Sequence, residues 1–144
     1  MRLDVCLAHL LALEAALATE LRAAAERHRD ERDVYHQCRA FARGADARAT
    51  QLAPFVPHPV AQGRSSASSV AAGGSADVLE ELRALGIRLH EVALTWAMAL
   101  QAAKALRDPE LIMGASECLA ESTVDAQWFL TRIKTAAPQA LTVG

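Results

Sequence analysis

Three glutamates occupy positions from which a helical protein could do metal or proton chemistry: Glu14, Glu91 and Glu121. Glu14 falls within a stripe that steps by four and three residues, Leu3, Leu7, Leu10, Glu14, Leu17, Leu21, Ala24 and His28, so it shares one helix face with leucines. A carboxylate buried there needs a metal ion, a proton or a hydrogen-bond donor. Carboxylates combined with imidazoles form the donor set that holds iron or manganese, and the nearby imidazoles are His36, in Asp33-Val34-Tyr35-His36, and His90. Without a metal, Glu14 becomes a structural acid with a raised pKa and a donor such as Tyr35 or a bound water. His36 lies on a face crowded with arginines and reads as exposed. His90 flanks the apolar stripe of its own helix and reads as a hydrogen-bonded structural residue.

Other chemistries find less support. Cys6, Cys38 and Cys118 all fall on inward stripes; storage of soft metals would need more thiols on closely spaced turns, so they read as small core residues. There is no Gly-x-Ser-x-Gly motif and no cysteine–histidine pair on one face. Gly73-Gly74-Ser75 lacks the strand and lysine of a phosphate loop and reads as a hinge followed by a helix cap.

The elements that would position these residues are helical. The 144 residues suit one domain, 1–144, with a full core, and 52% are hydrophobic while only 4% are aromatic. Alanine and leucine dominate and no alternating strand pattern occurs, which implies an all-α chain. The net charge of -2 favours neither nucleic acid nor an anionic membrane as partner. No segment approaches the ~20 uninterrupted apolar residues of a membrane span. Asp4, His9 and Glu14 break the N-terminal apolar run that would mimic a secretion signal. An odd number of widely spaced cysteines fits a reducing compartment, so the expected location is cytoplasmic.

Four helices are expected, at 3–28, 30–53, 77–107 and 109–137. Asp30 is a candidate cap for the second, Ser75 for the third and Asp108 for the fourth, with Pro109 in its first turn. Pro54 and Pro138 are expected to stop the second and fourth. The second helix buries Val34, Cys38, Phe41, Ala42, Ala45, Ala49 and Leu52; its other face carries Arg29, Arg32, His36, Arg39, Arg43 and Asp46 as a solvated surface. The third is apolar on two sides. Leu82, Leu85, Leu89, Val92, Trp96, Leu100 and Ala103 form one face, and Ile87, Leu94, Met98 and Ala105 the other, so it needs partners on both. Residues 54–75 are rich in Pro, Ser and Gly, form a flexible loop, and at up to ~3.3 Å per residue could span a bundle from end to end.

Four long helices joined short, long, short resemble the ferritin-like superfamily: an antiparallel four-helix bundle with a long crossover between helices two and three. The resemblance implies a glutamate on helices one and three and a Glu-x-x-His on helices two and four, all pointing inward around two metals. Glu14 matches for helix one. With the crossover, Glu91 and Glu121 fall within about a turn of its height, although Glu91 lies half a turn, and Glu121 a quarter turn, from the stripe of its own helix. Helix two has Ala42 and Ala45 at that level, and helix four reads Glu121-Ser122-Thr123-Val124 without a histidine. The ligand set is incomplete.

The expected function is therefore that of a non-catalytic ferritin-like bundle acting through self-association, as a dimer or larger, or through a partner protein. Surplus apolar surface at Ile87, Leu94, Met98, Met113, Val124 and Trp128 is the candidate interface. The alternative is a metal-binding ferritin-like protein of oxidase or storage type, holding iron or manganese on a degenerate site of Glu14, Glu91 and Glu121.

Overall fold

The computed structural model describes residues 1–57 and 77–143. Among them are four long helices and no strand: α1 (Leu3–Arg27), α2 (Arg32–Leu52), α3 (Val78–Leu106) and α4 (Pro109–Thr142). A single 3-10 turn, Ala53–Phe55, follows α2 where Pro54 ends the α-helical pattern.

The helix ends follow side-chain chemistry. Asp77 caps α3 by accepting from the Leu79 N–H at 2.9 Å, and Asp108 caps α4 by accepting from Leu111 at 3.2 Å, with Pro109 in the first turn. The expected cap Ser75 lies outside the described residues, as do Gly73, Gly74 and most of the 54–75 loop. Asp30 does not cap α2. Glu31 holds that position without a side-chain cap bond, because Arg132 of α4 draws on Glu31 at 3.3 Å and on Asp33 at 2.6 Å. Between α3 and α4, Arg107 takes a left-handed conformation with φ 56° and closes the α3 terminus by donating to Ala103 and Lys104 carbonyls. Pro138 does not end α4, which continues to Thr142. Its surroundings are exposed, so water can solvate the carbonyl that the proline leaves without a donor.

Contacts fix the helix order and directions. α1 packs on α2 and α3 on α4, while α1 also packs on α3 and α2 on α4. Along the α1/α3 seam Glu14 meets Trp96, Glu20 meets Arg88 and Arg27 meets Glu81, so these helices run in opposite directions. Along α2/α4, Asp33 meets Arg132, Phe41 meets Phe129, Arg48 meets Glu121 and Gln51 meets Cys118, again in opposition. Helices α2 and α3 therefore point the same way. The chain leaves one end of the bundle near Phe55, beside Leu3 and Asp108, and returns at Asp77, one turn before the Glu81 that meets Arg27 at the other end. These end positions are compatible with a long connection between α2 and α3, whose residues 58–76 lie outside those described. Cys118 lies beside Gln51, at the α2 terminus, with Sγ 3.7 Å from Oε1, rather than at the level of Cys38.

Leu10, Leu17, Leu21, Leu82, Leu89, Trp96 and Phe129 fill the core and are essentially inaccessible; each such leucine contributes about 1.5–3 kcal/mol by leaving water. The α2 face is built from small residues, Cys38, Ala42 and Ala45, all fully buried. Phe41, Trp128 and Phe129 close the α2/α4 seam as an aromatic cluster with centroids 5.1–5.7 Å apart, Trp128 meeting both phenylalanines edge-on. Among the described residues, no helix is long and apolar enough to cross a membrane.

Candidate functional site

The small-residue face of α2 leaves room for one large side chain, and Arg48 fills it. Its guanidinium lies inside the bundle, 2% exposed, and reaches acids on two other helices. Nε donates to Glu14 Oε2 at 2.7 Å and Nη2 to Glu14 Oε1 at 3.0 Å, a bidentate pair with a carboxylate that is itself fully buried. Nη1 donates to Glu121 Oε1 at 2.5 Å and to Asp125 Oδ2 at 3.5 Å. From α3, Trp96 Nε1 donates to Glu14 Oε2 at 2.7 Å. The cluster thus takes a side chain from all four helices. Below it Ser122, also fully buried, donates back to the Cys118 carbonyl.

Three carboxylates face one guanidinium, so the cluster carries surplus negative charge when all are ionised. Burial pushes the Asp125 carboxyl up to about 6, helped by neighbouring Glu121 and opposed by Arg48. Burial also raises Glu14, against the lowering pull of Arg48 and Trp96. The Arg48 guanidinium is driven upward by the same acids, against its own burial, and stays charged. Glu121 seals the outer side with its side chain 53% exposed. Gly44 leaves room beside it: a Cβ there would lie 3.2 Å from Glu121 Oε1, close enough that the carboxylate would have to shift by a few tenths of an ångström.

A second polar tier lies further along the α1/α3 seam. Glu20 and Arg88 pair at 3.2 Å, both more than nine-tenths buried, and Arg88 also meets Glu91 at 3.1 Å. Burial raises the Glu20 carboxyl against the pull of Arg88. At the end of the seam Glu81 accepts from Arg27 at 2.7 Å and lies 3.2 Å from His28 Nε2.

Of the three candidate metal ligands, the structure brings Glu14 and Glu121 onto Arg48, and places Glu91 with Arg88 in the second tier. Trp96, not Glu91, lies at the height of Glu14. Among the described residues no group of three or more His, Cys, Asp or Glu side chains is arranged to hold a metal ion. Tyr35 is not the donor to Glu14; it is stacked against Arg29 and Arg39 and its hydroxyl accepts from Arg39 at 2.8 Å. His36 and His90 are exposed, and His90 lines an outer groove between α3 and α4. The three cysteines are buried and free; burial pushes the Cys38 and Cys118 thiols up to about 12, which keeps them protonated and unreactive.

Arg48 and Asp125 are the cluster members that the sequence did not single out. The signal for Arg48 was present: it lies three residues after Ala45 and four before Leu52, on the buried stripe.

The apolar surface lies on the outside of α3 and α4. Ile87, Leu94 and Met98 are each more than half exposed, as are Met113 and Val124, whereas Trp128 is half-buried in its aromatic cluster. Ile87, Gly86, Leu130 and Ile133 line the groove with His90, which has a volume of about 590 Å³. Comparison with protein-family models, curated proteins and solved structures gives no match to this chain.

Proposed function

We propose that this chain is a ferritin-like, non-catalytic helical bundle that acts by associating with a second copy of itself through the outer face of α3 and α4. The observation that supports the non-catalytic part is the position of Arg48. Its fixed positive charge is bound to Glu14, Glu121 and Asp125, which include two of the three acids that a metal ion would otherwise claim. A guanidinium neutralises carboxylates without an open coordination position, so the cluster holds helices together instead of activating a substrate. The competing reading, iron or manganese on Glu14, Glu91 and Glu121, would need Arg48 and Arg88 to give up their acids. The exposed row Ile87, Leu94 and Met98 supports the association, and a two-fold dimer is its simplest form. A cytoplasmic location accords with three buried free thiols.

Two measurements test the reading together. Protein purified without chelator is expected to hold no stoichiometric iron or manganese, and at high salt to sediment as a dimer or larger that Leu94→Lys reduces to a monomer. Stoichiometric metal that disappears in Glu14→Ala would overturn the non-catalytic part. A wild type already monomeric at every concentration would overturn the association.

A further inference from the structure

The solvated face of α2 carries a regular positive row. Arg32, Arg39 and Arg43 are spaced by seven and four residues, so they line up along the helix over about 16 Å, with Arg29 and His36 beside them. All five are exposed. Arg29 has Glu26 as a local partner at 2.9 Å, and Arg39 is steadied by the Tyr35 ring and hydroxyl. Of the acids near the row, Glu31 and Asp33 are already engaged by Arg132 and Asp46, beyond its end, by Arg22, while Asp30 is exposed before its start. The row therefore presents net positive charge to solvent.

The flank of α4 beside the end of α2 carries a matching negative row, Glu110 and Glu117 lining a groove there with Gln51 and Phe55. Glu110, Glu117 and Glu121 are exposed and have the same seven-and-four spacing. Laid side by side in parallel, the two rows oppose Arg32 to Glu110, Arg39 to Glu117 and Arg43 to Glu121. In the same register Met113, 65% exposed, falls at the level of Tyr35. Within one molecule α2 and α4 run in opposite directions and both rows face outward, so the match can be made only between copies.

We propose that the arginine row of α2 docks on the glutamate row of α4 of a second copy of this chain. The occupant is a second copy because the complementary charges, at matching intervals, are both carried by this sequence. The two surfaces differ, so the contact is head-to-tail: each copy offers one row to the neighbour on either side, which builds a ring or a filament rather than a closed pair. The inference goes beyond the two-fold contact proposed above, since it uses α2 and charged residues rather than α3 and apolar ones. Exposed ion pairs are weak and screened, so the assembly forms at high protein concentration and low salt. Glu121 already shares Arg48, which leaves Glu110 and Glu117 as the main acceptors.

The test is charge reversal with rescue by mixing, read by sedimentation velocity at low salt in the Leu94→Lys background, which removes the apolar contact. One variant carries Arg32→Glu and Arg39→Glu, the other Glu110→Arg and Glu117→Arg. The parent is expected to form species larger than a monomer that dissolve near 1 M salt, where the Debye length is about 3 Å. Each variant alone is expected to stay monomeric, and their mixture to regain the larger species. Circular dichroism verifies the folding of each variant, and the neutral variants Arg39→Gln and Glu117→Gln, each expected to weaken assembly, replace any that fails. A parent without salt-sensitive assembly, variants that still assemble alone, or a mixture that stays monomeric would each overturn the proposal. The apolar contact is tested at high salt, where the charged rows are screened, so the two contacts stand or fall separately.

Discussion

Arg48 grips both carboxylate oxygens of Glu14, at 2.7 and 3.0 Å, across the α1/α2 seam. Neither side chain reaches water, so each is the other's main source of compensation for lost hydration. Coulomb attraction and desolvation nearly cancel for such a pair, but removing one member leaves an uncompensated charge in the core.

Arg48→Met is accordingly expected to cost about 3–5 kcal/mol of stability in urea unfolding. Adding Glu14→Gln, which keeps an acceptor for the Trp96 N–H, should recover a large part of that loss. If the double variant loses the sum of the two single losses, the pair is not coupled as described.

Asp125 gives the protein a pH signature. Its carboxyl is raised from 3.8 to about 6 in the folded chain, so the folded state binds the proton more tightly than the unfolded one. The resulting stability is fully present below about pH 4 and is lost as pH rises through about 6. Glu14 and Glu20, both raised, act in the same sense. Asp33 acts in the opposite sense: burial pushes it up, but the Arg132 guanidinium outweighs burial and lowers it, so its contribution fades on acidification. Thermal midpoints of wild type and Asp125→Asn measured from about pH 4 to 7 should diverge, the variant showing the flatter profile. Parallel profiles would count against a proton at Asp125.

Gly86 sits within α3, where glycine costs about 0.8–1 kcal/mol relative to alanine. A Cβ there would meet Phe129 Cβ at 3.6 Å and Ile133 Cδ1 at 3.9 Å, ordinary contact distances. Gly86→Ala is expected to raise the thermal midpoint by about 2–4 °C. A lower midpoint would mean that α3 and α4 approach more closely at this point.

Glu14 could be placed in the core from its stripe alone, because every neighbour at helical spacing is leucine or alanine. Its partner was harder to see. Arg48 obeys the same spacing arithmetic, but the α2 stripe is already complete without it through Ala45, Ala49 and Leu52, and a long cation defaults to the surface in any hydropathy reading. Periodicity locates a face, whereas the pairing of a buried acid with a buried base depends on which two helices meet at one height. The same limit applies to Trp96, legible as core but not as the donor to Glu14, and to Glu91, which lies more than a turn from Trp96 along α3. The helix count was legible because apolar stripes broken by Asp, Gly and Pro mark out four segments in the sequence itself.

The seam where α1 meets α3 has a consequence for how the chain comes together. Glu14 and Arg48 find each other within the first pair of helices, while Glu20, Arg27 and His28 wait for Glu81 and Arg88 in the second. Each half, formed alone, therefore leaves these side chains in water, and the ion pairs of this seam form only as the second helix pair docks on the first.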